Sequence, residues 1–263
     1  MATPAPYLGL HLDHRFAPIE DEHLTGTLVE ILARPCFAAL TRVAAQFRDR
    51  DPSYQPKHPA SIASALRSPA AIAIVLDCGR RDDPTATARI CTARPPRTPH
   101  TAAARPFLAS VVVVPARRAD APAILDAFVD LAAALQAVAG YIAVEPDHDR
   151  AHRAALAQAP SREDVRDHYR RAQERRAHAW YDRAIDAQLA GPEWGIVLGP
   201  RHLGRLAPDP ACFPVIREAG AAKLALLSTS PADALEPHFE RRLDAARQAL
   251  APLLMDVSTV PVL

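Results

Sequence analysis

The chain has 263 residues, enough to bury a substantial core, and its 31 basic and 30 acidic residues leave a formal net charge of +1. That balance excludes a general electrostatic pull toward nucleic acid or an anionic membrane, so any partner must be recognised locally. Apolar residues make up 49% but aromatics only 5%, which predicts a core of Leu, Val, Ile and Ala with closely approaching helices.

Residues 7–12 (YLGLHL) are short, apolar and preceded by prolines, as an opening strand would be. Asp21 or Glu22 then caps a helix carrying Leu24, Leu28, Ile31 and Leu32 at helical spacing. Pro35 breaks or kinks it, and Phe37, Leu40, Val43, Ala44 and Phe47 predict a helical continuation to about Arg48. Residues 48–61, rich in proline and charge, read as a loop. Three strands follow, at 70–79, 86–93 and 104–116; the last contains VVVV and is the strongest in the chain. Consecutive strands of this kind predict an antiparallel meander.

Residues 121–138 form an amphipathic helix with Pro122 in its first turn, where a missing N–H is harmless. Gly140 is expected to end it, and YIAV at 141–144 to be a fourth short strand. A short helix is expected at 147–157 and a long charged one from Ser161 to about Leu189. The last third returns to β structure. WGIVL at 194–198 is a strand, HLGRL a helical turn, and 213–218 with 222–227 a hairpin closed at Ala219-Gly220. Ser230 opens a final helix with the stripe Leu235, Phe239, Leu243, Ala246 and Leu250. The fold class is therefore α+β in one domain, residues 1–263: a mainly antiparallel sheet made of an N-terminal strand, a central three-strand meander and a C-terminal hairpin, packed with long amphipathic helices.

Chemistry-bearing residues cluster most densely in EPDHDRAH, residues 145–152. His148 and His152 stand four apart, so a helix presents both imidazoles on one face, the spacing of a bidentate metal site. Asp147 and Asp149 have a simpler role as carboxylates at a helix start, where unsatisfied N–H groups favour them. His11 and Asp13, on one side of the first strand, are the further candidate ligands. A surface face running into a loop is the plainer reading of HLDH. No metal and no cofactor is expected; a metal-dependent hydrolase using His148 and His152, with His11 or Asp13 as further ligands, is the alternative.

No G-x-S-x-G elbow, phosphate loop or dinucleotide fingerprint occurs, and Cys36, Cys78, Cys91 and Cys212 contain no C-x-x-C pair. The cysteines read as buried thiols of a reducing compartment. The amino end lacks a basic segment followed by an apolar one, and no apolar run approaches the roughly 18 residues of a membrane span. A cytoplasmic protein is expected. Two segments suit a protein partner: the basic loop 94–106 with Arg94, Arg97, His100 and Arg105, and the charged helix with Arg176, Trp180 and Tyr181, since Trp, Tyr and Arg favour interface centres.

Three stretches carry a family resemblance: ALQAVAGYIAVEP (134–146), PEWGIVLGPRHLGRL (192–206) and FPVIREAGAAKLALLSTSPADAL (213–235). With the VVVVPARR strand and long helix before them, their order resembles the immunity proteins of bacterial polymorphic toxins, especially the type VI secretion immunity family and the immunity protein 52 group. The resemblance spans about residues 104–255. It implies a non-enzymatic protein that neutralises a cognate secreted toxin by stoichiometric binding. The charge balance adds the expectation of no nucleic-acid or membrane partner, and a homo-oligomer is allowed. The chain departs from the family in its basic proline-rich loop and its lack of net negative charge, which leaves the toxin class open. A structural or regulatory subunit of a bacterial assembly is the remaining alternative.

Overall fold

Four consecutive valines place a side chain on each face of a strand in turn, and in the computed structural model both faces are covered. That model describes residues 5–15, 21–79, 86–92, 108–156, 188–189, 191–206 and 211–254. The valine run lies in β6 (Leu108–Pro115): Val112 and Val114 join the main core, while Val111 and Val113 pack against Ala151 and Ala155 on the opposite face. A β-branched run without polar alternation is the signature of such a doubly buried strand.

The remaining strands are β1 (Tyr7–His14), β2 (Arg42–Gln46), β3 (Gln55–Pro56), β4 (Ala73–Asp77), β5 (Thr87–Cys91), β7 (Ala137–Glu145), β8 (Gly195–Leu198), β9 (Val215–Ala219) and β10 (Ala222–Leu226). Among the described residues they form one 10-stranded sheet in the order β3-β2-β4-β5-β6-β1-β7-β8-β10-β9. Every neighbouring pair is antiparallel. The fold is α+β, with β4-β5-β6 the expected meander and β9-β10 the expected hairpin. The first strand fills the gap between that meander and the later strands, pairing with β6 on one side and β7 on the other.

Helices α1 (Glu22–Leu32), α2 (Pro59–Leu66) and α3 (Ala121–Ala134) contribute to the main core, α3 through Ile124, Phe128 and Leu131. Asp21 caps α1 by accepting from the Leu24 amide at 3.0 Å, as its position predicts. The opposite face of the sheet carries α4 (His148–Leu156), which lies against β1, β6 and β7. Two further helices are α5 (Pro200–Leu203) and α6 (Phe239–Leu250), the latter burying Phe239, Leu243, Ala246 and Leu250 in the main core. Leu235, expected on the same stripe, is 42% exposed because it ends a separate 3-10 turn, Pro231–Leu235.

Several expectations are corrected. The helix predicted to run to Arg48 stops at Leu32; after a 3-10 turn at Pro35–Phe37 the chain becomes β2. Alanine tolerates either state, so the apparent helical spacing was ambiguous. The cross-strand ion pair between Arg42 and Asp77, with Nε 2.8 Å from Oδ1, belongs to a β register. The expected loop 48–61 contains β3 and the start of α2. Gly140 ends no helix: Gln136, at φ 50°, makes the left-handed turn, and Gly140 lies inside β7. A Cβ there would meet the His11 carbonyl oxygen at 2.5 Å. The hairpin closes at Gly220-Ala221, one residue later than predicted, with Gly220 at φ +68°.

Candidate functional site

Among the described residues, polar groups come together on the face of the sheet under α4 and in a cleft at the end of α3. Helix α4 begins where its carboxylates predict. Asp147 Oδ1 accepts from the Arg150 amide at 2.8 Å, leaving His148 and His152 on one side of the helix. Their ring centroids are 5.8 Å apart with planes inclined 30°. His148 also meets the Tyr7 ring edge-on at 6.0 Å. Its Nδ1 lies 3.4 Å from Asp149 Oδ1, while its Nε2 is shielded from solvent and has no hydrogen-bond partner. Desolvation, reinforced by the neighbouring His148, pushes the His152 pKa below its ordinary value, against a smaller opposing effect of Asp149.

A depressed histidine pKa means that the unfolded chain binds more protons just below neutrality. The associated stability is full above the ordinary histidine pKa and is lost as pH falls through the folded one. The urea midpoint is therefore expected to drop between pH 7.5 and pH 5.5, and the drop to shrink in His152→Gln. An equal drop in both proteins would remove His152 from the pH dependence.

Helix α4 can lie this close because Gly9 has no side chain: a Cβ there would stand 2.6 Å from the Ala151 carbonyl oxygen. Tyr7 beneath His148, Gly9 beneath Ala151 and His11 beneath Ala155 show that β1 and α4 run the same way. His11 and Asp13 thus sit at the far end of the helix from His148. The surface reading of HLDH is corrected, since His11 and Asp13 are 8% and 6% exposed. Alternation along β1 reveals its two faces but not that a later helix covers the polar one. His11 Nδ1 is 2.8 Å from the Ala155 carbonyl oxygen and Nε2 is 3.1 Å from Asp13 Oδ2. Both ring nitrogens lie within hydrogen-bonding distance of an oxygen. Tyr141 stacks on His11 at 4.8 Å and donates to the Ala154 carbonyl at 2.9 Å. These bonds tether the last described turn of α4 to the sheet. Tyr141→Phe is expected to cost about 1 kcal/mol of stability. Denaturant titration checks it, and an unchanged midpoint would remove the tether.

On the leucine side of the strand, His14 Nε2 is 2.8 Å from Ser110 Oγ, which also accepts from the Cys91 amide at 3.2 Å. Sequence reading missed this pair because its members are far apart in the chain. Both are buried, at 0% and 2% exposure, so the contact joins β1, β6 and β5 inside the sheet.

The cleft, about 580 Å³, lies where β1 ends, α3 turns into β7, and the β9-β10 hairpin meets α5. Arg15, Gln136, Val138, Arg201 and Gly220 are among its lining residues, which among the described residues include two arginines and no acid. Nothing in the sequence signals it, because four separated segments assemble it.

Among the described residues no group of three or more His, Cys, Asp or Glu side chains is placed to hold a metal ion. Arg94, Arg97, His100, Arg105, Arg176, Trp180 and Tyr181 lie outside the described residues. No described helix is long and apolar enough to cross a membrane.

A type VI secretion system (T6SS) protein of Pseudomonas aeruginosa, PA0821, superposes with a TM-score of 0.61 over 95% of this chain and 74% of that one, at 12% identity. The chain shares the fold of a T6SS protein. At this identity the likeness concerns architecture alone. It extends well beyond residues 104–255, taking in the N-terminal region that the sequence resemblance left out. No protein-family model and no curated protein matches the sequence.

Proposed function

We propose that this is an immunity-like protein that neutralises a cognate secreted toxin by stoichiometric binding, acting in the cytoplasm. The observation that carries the reading is the likeness to a T6SS protein over 95% of the chain. The ordered motifs of residues 134–146, 192–206 and 213–235 support it from the sequence side. The chain's polar clusters fit a binding role. His11, Asp13 and Tyr141 hold α4 to the sheet, and His14 with Ser110 holds strands together. The basic residues Arg94, Arg97, His100 and Arg105, together with Arg176, Trp180 and Tyr181, are the proposed partner contacts.

Growth of a sensitive bacterium producing the protein encoded beside this gene tests the proposal. Production alone is expected to arrest growth and co-production of this chain to restore it. A harmless neighbour, or arrest unrelieved by this chain, would overturn the reading.

A further inference from the structure

We propose that His148 and His152 form a binding site for a divalent transition-metal ion of the imidazole-preferring kind, Cu²⁺, Ni²⁺ or Zn²⁺. The site stands apart from the immunity reading and does not depend on it. Helical spacing places both rings on one side of α4, with centroids 5.8 Å apart. A bound metal lies about 3 Å from the centre of each imidazole that ligates it, so two rings can share one ion at centroid separations up to about 6 Å. The observed spacing falls inside that limit.

The state of His148 gives an independent pointer. Its side chain is 10% exposed, and its Nε2 is shielded without a hydrogen-bond partner. Buried imidazole nitrogens ordinarily find partners, and one left without is costly unless a ligand takes it up. Asp149 Oδ1, 3.4 Å from Nδ1, favours the tautomer with its proton there, which leaves the Nε2 lone pair available. A carboxylate behind a ligating histidine fixes tautomer and orientation in many metal sites. The Tyr7 ring packs nearly perpendicular to the same imidazole, with centroids 6.0 Å apart. His11 and Asp13, the other ligands considered from the sequence, are engaged at the opposite end of α4. The chain therefore supplies two nitrogens, water completes the coordination, and Cu²⁺ binds most tightly in the order of divalent affinities.

Calorimetric titration of the tag-free full chain with Cu²⁺ and with Zn²⁺, beside electron paramagnetic resonance of the Cu²⁺ form, tests the site. One equivalent of Cu²⁺ with nitrogen coupling is expected, binding more tightly than Zn²⁺. His148→Ala and His152→Gln should each weaken it about tenfold or more, and Asp149→Ala by less. His23→Ala, at an exposed position on α1, serves as the control and should leave binding unchanged. Absence of saturable binding, or one equivalent bound equally well by the His148 and His152 variants, would overturn the proposal. Circular dichroism of each variant separates loss of ligand from loss of fold.

Discussion

Replacing Trp194 by alanine is expected to lower the unfolding free energy by about 4 kcal/mol, within the range for deleting a buried aromatic side chain. The residue is 1% exposed and ranks among the largest fully buried side chains. It sits just before β8, where its carbonyl accepts from the Leu227 amide at 2.9 Å. Its indole Nε1 donates to Ser228 Oγ at 2.8 Å, and Ser228 in turn donates to the Ser230 carbonyl at 2.8 Å. One side chain thus ties β8 to the end of β10 and to the turn leading toward α6. Alanine would leave a cavity and also deprive the buried Ser228 hydroxyl of a partner. Trp194→Phe separates these effects: it keeps most of the ring volume and should cost roughly 1–2 kcal/mol from the lost hydrogen bond and reduced packing. Urea midpoints at constant slope measure both. Equal losses in the two variants would mean that ring burial is not what stabilises this corner.

Gly199→Ala is expected to be comparably damaging, about 3 kcal/mol, for the opposite reason. A Cβ at this position would stand 2.2 Å from the Val138 carbonyl oxygen and 2.8 Å from its carbon. Both atoms belong to the backbone of β7, so no rotamer change can relieve the overlap. The strand or the start of α5 must move. Gly199 carries φ −73°, so the requirement is space and not an unusual backbone conformation. Because Val138, Pro200 and Arg201 line the cleft, the same shift should deform its wall. A stability loss under about 1 kcal/mol would contradict the close approach. Gly204→Ala provides the contrast, since its nearest neighbour would lie 3.6 Å away.

The elements legible in the sequence are those whose side chains strongly favour one state. The valines of β6, the Leu and Phe stripe of α3 and the β9-β10 hairpin with its glycine turn each carry a local preference that tertiary packing reinforces. Of the elements missed, β2 is RVAAQ, where alanines make a helical and an extended reading equally good. Its state is decided by pairing with β4 and by the Arg42–Asp77 contact, which involve residues distant in sequence. Gly140 was misread for a related reason. Glycine marks a helix stop or a close backbone approach equally well, and here the approach to His11 decides.

The site was legible only in part. Spacing alone puts His148 and His152 on one face, and Asp147 is recognisable as a cap. The burial of His11 and Asp13 was not, because it depends on α4 folding back over β1 through the gap that Gly9 leaves. The cleft depends on the same kind of long-range assembly.

Stoichiometry tests the immunity reading most directly. On that reading the purified chain forms a defined complex with the protein encoded beside its gene, and the toxic activity of that protein should fall linearly with added chain until the two are equimolar. Loss of toxin activity at far less than one equivalent would point instead to enzymatic inactivation, and no complex with undiminished activity would contradict the immunity reading outright.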